Sequence, residues 1–322
     1  MTARYPILFR TVQALALLAV LSNLVAPQIL AQGQLMLALG LILLFGIPHG
    51  ATDYLIFRYL ARPLWGSRAL LRFYANYLAL MAAYSLLWLL LPGAALLIFL
   101  ALSMYHFGQS NWNYVSFGRK AMEYGAYLLW GMFAVLGPVL WHYDAASGII
   151  ASIIGAPAPA ISREWGQAVV LGLFIINLFL ALYLWGKGKL GWRALRDEAF
   201  NLFILGLLFL YTPLLVGFAL YFAGWHSLSS VMDQMQFFRL RQPGYSLKHY
   251  VRNSLPLSLA AVAALGGLLL LQGQAGQPFP IGAVFIFISV VTLPHMVLID
   301  RLYEEWPSGE TTDHSPAPIY FY

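Results

Sequence analysis

Across 322 residues, 61% are hydrophobic and only 9% are charged. A soluble globular domain carries roughly 25% charge, so the composition sets a water-soluble fold aside in favour of a block of membrane-embedded helices. The absence of cysteine excludes disulfides, iron–sulfur clusters, thiolate metal sites and a cysteine nucleophile. The net charge of +6 does not mark a nucleic-acid binder, because the basic residues are scattered in pairs rather than gathered into a patch.

About 20 apolar residues cross the hydrocarbon core as a helix, each rising about 1.5 Å. In chain order, predicted spans lie near 6–26, 33–57, 72–91, 93–115, 121–141, 166–186, 196–212, 214–238, 253–272 and 281–303. The first follows Arg4 and Arg10 with no small-residue cleavage site closing it, and reads as a retained anchor. Two connections are very tight, Pro92-Gly93 and Thr212-Pro213, where proline separates one helix from the next. The stretch 142–165, with Pro157 and Pro159, is the loop long enough to hold a helix of its own. Residues 307–322 read as a polar cytoplasmic tail following a single transmembrane helical domain over 1–306. The predicted fold class is therefore all-α, a polytopic membrane bundle of about ten helices.

With the N-terminus inside, the inner segments hold 17 of the 18 basic residues, and only Arg163 falls outside. This alternation is what the positive-inside rule demands. It predicts a multi-pass protein of the cell inner (plasma) membrane with both termini cytoplasmic.

Four of the seven histidines fall inside predicted spans: His49, His106, His226 and His295. Ionisable groups at that depth are costly and are usually functional. They lie on the second, fourth, eighth and tenth spans, which all run inward in this topology. Each stands roughly 12–16 residues past the start of its span, a depth spread of about 6 Å. Four imidazoles at one level are what a metal site in a bundle requires; hydrogen-bonded links between helices are the competing reading.

The neighbours of these histidines share a character. Pro48 and Pro294 stand directly before a histidine, where proline frees a backbone carbonyl. Asp53 is four residues after His49 on the same helix face, placed to orient that imidazole or else to reach the cytoplasmic interface. Asn111 is five residues after His106 and suits a helix–helix hydrogen bond.

Imidazole suits zinc, copper, iron and nickel. The His-Glu-x-x-His pattern of zinc hydrolases is absent, and membrane di-iron enzymes call for more clustered histidines than these four. Bis-histidine haem remains open. An all-nitrogen site with open positions fits a mononuclear iron(II) centre that activates dioxygen, and the lipid-facing bundle admits an apolar substrate from the bilayer. Tyr105, Phe107, Trp112, Tyr221, Phe222 and Trp225 lie close in sequence to the histidines and are candidates to line a path for that apolar substrate. Aromatic packing between helices is the alternative for each. No catalytic side chain beyond the metal ligands stands out.

The segments Pro48-His49-Gly50-Ala51-Thr52-Asp53, His106-Phe107-Gly108, His226-Ser227 and Pro294-His295-Met296-Val297-Leu298-Ile299-Asp300 resemble the Brp/Blh family of membrane β-carotene 15,15′-dioxygenases. They occur in the family's order and at similar separations, from the second span through the tenth. The resemblance implies an Fe(2+) centre held by histidines and cleavage of the central double bond of β-carotene by O2. The two molecules of retinal produced would serve a microbial rhodopsin.

Two positions depart from that pattern. The family reads His-Ser-x-x-His on the eighth span, whereas here the second histidine is Ser230, a poor ligand for iron(II). Asn111 stands where the family usually has aspartate. Asp233, seven residues beyond His226, is a possible compensation or an interfacial cap. Three expectations follow: a carotenoid-cleaving oxygenase using His49, His106, His226 and His295; a non-catalytic or altered-substrate carotenoid- or retinal-binding homologue; and a transporter or proton relay using His49, Asp53 and His295.

Overall fold

In hydrocarbon every backbone N–H and C=O has to be paired within the protein, and a helix does this locally. The computed structural model describes residues 5–65, 68–274 and 281–305, which form helices and connecting turns with no strand among them. Arg4, His314 and the predicted 307–322 tail lie outside the described residues.

The elements in chain order are α1 (Pro6–Val25), α2 (Pro27–Leu41), a π-helical turn (Ile42–Gly46), α3 (Ile47–Gly50), α4 (Asp53–Trp65), α5 (Ala69–Leu90), α6 (Pro92–Trp112) and α7 (Lys120–Trp141). They continue with α8 (Tyr143–Ile154), α9 (Arg163–Gly186), α10 (Trp192–Tyr211), α11 (Leu214–Leu220), a second π-helical turn (Tyr221–Ser227), α12 (Leu228–Arg241), α13 (Leu247–Gln274) and α14 (Ile281–Glu305). Prolines open α1, α2 and α6, where the missing N–H would find no helical partner. Gly188, at φ 68°, closes α9: its N–H donates to Trp185 O at 2.9 Å and that of Lys189 to Leu184 O at 2.8 Å. This paired closure needs the left-handed conformation that glycine adopts without penalty.

Among the described residues nine helices are long and apolar enough to cross a membrane, so the chain is a multi-pass helical membrane protein. The remaining predicted span, 196–212, is helix α10. It has the length of a span, but Arg193, Arg196, Asp197 and Glu198 crowd its first two turns. The predicted 142–165 loop holds α8, a 12-residue helix.

Leu21, Ile29, Met36, Leu78, Leu89 and Phe179 are exposed, while His49, Asp53, His106, Asn201, His226 and His295 are buried. Apolar outside and polar within is the distribution of a bundle solvated by lipid. The chain is organised as two compact units. The first comprises Met1–Gly46, Ser103–Gly148 and Pro157–Val231; the second comprises Ile47–Leu102, Ile149–Ala156 and Met232–Tyr322. In the first, Phe9, Phe133 and Phe209 are fully enclosed, with the Phe133 and Phe209 rings 5.5 Å apart. In the second, Tyr84, Trp88, Ala95, Leu96, Ile153, Leu293 and Met296 form a core cluster, and Trp88 Nε1 donates to Ser289 Oγ at 2.9 Å.

Candidate metal centre

Each unit contains one pair of buried histidines. In the first unit, His106 on α6 and His226 on the second π-helical turn stand edge to face, with ring centroids 4.9 Å apart and planes at 74°. Their surroundings are aromatic. Phe107 lies 4.6 Å from the His226 ring, Phe222 stacks on it at 5.6 Å and 24°, and Tyr221 packs 5.6 Å from Phe107.

Two glycines let α6 and α7 meet closely beside His106. A Cβ on Gly108 would lie 1.7 Å from the Tyr127 carbonyl oxygen, and one on Gly131 would lie 1.6 Å from that of Met104. Residues 104 and 108 bracket His106, so the backbones of α6 and α7 touch on both sides of it. Such close approach is open only to helices with small residues at the contact. One turn further on, Asn111 Nδ2 donates to Glu198 Oε2 at 3.3 Å and Tyr114 Oη to Glu198 Oε1 at 2.9 Å. Asn111 thus makes the helix–helix hydrogen bond expected of it, and its acceptor is a buried carboxylate on α10.

In the second unit, His49 on α3 and His295 on α14 are 4.6 Å apart at 84°, and their surroundings are polar. Asp53 Oδ1 and Oδ2 lie 2.9 and 3.0 Å from His295 Nδ1. A carboxylate only accepts, so in the neutral ring Nδ1 carries the proton and Nε2 presents its lone pair. Tyr77 Oη, at 3.2 Å from Asp53 Oδ2 and 3.3 Å from the Val291 carbonyl, steadies the carboxylate.

The carboxylate expected to orient His49 therefore contacts the His295 ring. The reason is local. Residues 51 and 52 form a turn that separates α3 from α4, so the i, i+4 relation of an unbroken helix does not carry across it. The backbone at the break is held from outside: Gln234 Nε2 donates to His49 O at 2.8 Å, and Tyr250 Oη lies 3.3 Å from Pro48 O. Thr52 Oγ1 and Tyr250 Oη both donate to Gln234 Oε1, at 2.6 and 2.9 Å. Gly50 leaves room for the His295 ring, whose Nδ1 lies 3.4 Å from where a Cβ would stand.

The other expected residues are distributed as follows. Phe107, Tyr221 and Phe222 cluster at His226, whereas Tyr105 packs on Tyr124 and Tyr127 of α7. Trp112 meets Trp130 edge to face at 6.1 Å, and Trp225 Nε1 donates to Asn201 Oδ1 at 3.4 Å. Ser230 is buried one turn after His226. Asp233, also buried, accepts from Tyr303 Oη at 3.2 Å. Tyr77, Glu198, Gln234 and Tyr250 were not singled out from the sequence; their signal was polarity or a hydroxyl inside or beside an apolar span.

Among the described residues no group of three or more His, Asp or Glu side chains is gathered to hold a metal ion. What the chain brings together are two neighbouring imidazoles in each unit, His106 with His226 and His49 with His295, in edge-to-face ring contact.

Fold and site together define a polytopic helical membrane protein carrying paired, buried imidazoles. Residues 40–303 match the family model described as beta-carotene 15,15′-dioxygenase, and the chain belongs to that family. It is similar to a beta-carotene 15,15′-dioxygenase of uncultured marine bacterium 66A03, with 28% identity over 275 residues covering 83% of this chain and 93% of the relative. It also resembles a probable beta-carotene 15,15′-dioxygenase Blh of Halobacterium salinarum, 24% identical over 286 residues, with 79% and 80% covered. No solved structure matches the chain.

Proposed function

We propose that this protein is an iron(II)-dependent oxygenase of the inner membrane, both termini cytoplasmic, that cleaves the central double bond of β-carotene with O2 to give two molecules of retinal. One C=C and one O=O bond are exchanged for two aldehyde C=O bonds, so no external reductant is needed. The observation that carries the reading is the family match across 40–303, which spans all four buried histidines.

The iron ligands are drawn from His49, His106, His226 and His295. Bound iron(II) supplies dioxygen activation. The chain's own residues do the rest. Asp53 keeps the His295 proton at Nδ1 and so leaves Nε2 with the lone pair that iron would take. Gln234 and Tyr250 fix the backbone that carries His49. Phe107 and Phe222 keep water from His226 and offer an apolar face to a conjugated chain. Retinal, itself apolar, leaves into the bilayer, where a retinal-binding protein such as a rhodopsin can take it up.

Ser230 favours a second reading, binding of a carotenoid or retinal without cleavage. Expression in bacterial cells that accumulate β-carotene separates the two. Retinal from the parent and none from His49→Ala supports the oxygenase. Intact β-carotene beside well-folded protein favours the binding role, and Ser230→His then restores cleavage if the missing imidazole is the cause. Purified parent is expected to hold near-stoichiometric iron that His106→Ala loses.

A further inference from the structure

Helix α1 precedes the stretch matched by the family model, which begins at residue 40. We propose that α1 nevertheless sets the π-helical register of Tyr221–Ser227, and with it the aim of His226, through Gln13 as a positioning residue. The effect on the metal rests on the function proposed above; the register itself does not.

The buried residues of α1 are Phe9, Val12, Gln13, Ala16 and Val20, a stripe at helical spacing that faces the protein. Two of them grip the residues immediately before His226. Val12 fills the notch left by Gly224, where a Cβ would come 2.5 Å from Val12 Cγ1. Gln13 Nε2 donates to Asn201 Oδ1 at 2.6 Å, the same oxygen that accepts from Trp225 Nε1. One carbonyl oxygen on α10 thereby ties α1 to the π-helical turn.

A π-helical turn closes i→i+5 hydrogen bonds and has no intrinsic advantage over an α-helical one, so tertiary contacts have to retain it. Relaxation of this turn to α-helix would shift the following residues by about one position, a rotation of roughly 100°. His226 would leave both the Phe222 stack and the His106 ring. A glutamine inside an apolar span is costly unless it is hydrogen-bonded, and the Asn201 carbonyl meets that need at the point where the register is chosen.

The chain has no cysteine, which allows a clean test on the full-length protein in bilayer nanodiscs. Val12 Cβ lies 3.6 Å from the Cβ position of residue 224, within the about 3.5–4.5 Å range of a disulfide. Val12→Cys/Gly224→Cys is expected to crosslink under mild oxidation, seen as a gel shift reversed by reductant. Gln13→Leu is expected to move the His226 ring signal in a 15N-histidine NMR spectrum and to weaken Fe(II) binding about tenfold or more. Thr11→Val, on an exposed residue whose hydroxyl bonds its own helix at Ile7 O, should change neither. Introducing the crosslink into Gln13→Leu should restore the parental His226 signal when oxidised and lose it when reduced.

Failure to crosslink overturns the contact. A parental His226 signal in Gln13→Leu overturns the positioning role. Both readouts work without metal, so if they succeed and no iron binds, the proposed function has failed and not this inference. Should Gln13→Leu not fold, the oxidised triple variant still decides: no recovery of the His226 signal overturns the role.

Discussion

The two histidine pairs are alike in spacing and opposite in setting. His106 and His226 sit against Phe107 and Phe222, whereas His49 and His295 sit in a lattice of Asp53, Tyr77, Gln234 and Tyr250. An aromatic wall excludes water and fixes a ring by shape, while a hydrogen-bonded setting fixes the tautomer and the backbone. Within one chain the same side chain is therefore held by two different physical means. The two pairs are expected to respond differently to substitution.

The largest effect should come from the backbone contact beneath the aromatic pair. Gly108→Ala or Gly131→Ala places a methyl within 2 Å of a backbone carbonyl, and the helices have to part. A loss of about 3 kcal/mol or more is expected, read as a collapse of the thermal midpoint in detergent or failure to insert. A midpoint near the parent's would break the account of how His106 is held.

Next is the polar pair. Asp53→Asn keeps the size of the side chain but removes the charge that holds His295 Nδ1, and should weaken Fe(II) binding about 10–100-fold with little change in fold. Gln234→Leu withdraws the acceptor of two buried hydroxyls and a donor to His49 O. It should cost about 1–3 kcal/mol of stability and lower metal affinity as well. Unchanged Fe(II) titrations in both variants would remove the distinction between the pairs.

The aromatic side chains should divide the other way. Phe222→Leu keeps an apolar wall without the ring stack on His226. It is expected to leave iron content near the parent's while raising KM for β-carotene several-fold, since a stacked ring is worth about 0.5–1.5 kcal/mol.

The smallest effect concerns a histidine outside both pairs. His142, just beyond α7, donates Nε2–H to Phe209 O at 2.9 Å, and burial lowers its pKa from the usual 6.5. The unfolded chain then binds the proton more readily than the folded one. Stability should accordingly decline as pH falls through about 6.5 toward the lowered folded value. His142→Gln should flatten that part of the melting-temperature profile and leave iron binding untouched.

Much of this was legible from composition and spacing. The spans and the buried histidines follow from hydropathy and residue type, because lipid rewards apolar surface wherever the chain meets it and penalises polar groups that lack a purpose; the family motifs came from resemblance alone. Closeness in sequence put Phe107 and Phe222 among the aromatic candidates, but did not show the contact of Phe107 with His226 on another helix. It did not tell which imidazoles share a pair, since pairing depends on which helices lie together. It offered Asp53 either His49 or the interface and left out His295, because i, i+4 arithmetic assumes an unbroken helix, and the turn at 51–52 breaks it. Neither π-helical turn has a signature in the residues themselves; each exists through contacts such as Gly46 with Phe222 and Gly224 with Val12. Gln13, Gln234 and Glu198 were visible as polar residues, yet their partners are up to 188 positions away. Sequence alone determined that this is a membrane bundle with histidines inside, because burial in lipid is decided residue by residue. Only the tertiary structure decided where each imidazole points, because that direction is set by helices meeting from distant parts of the chain.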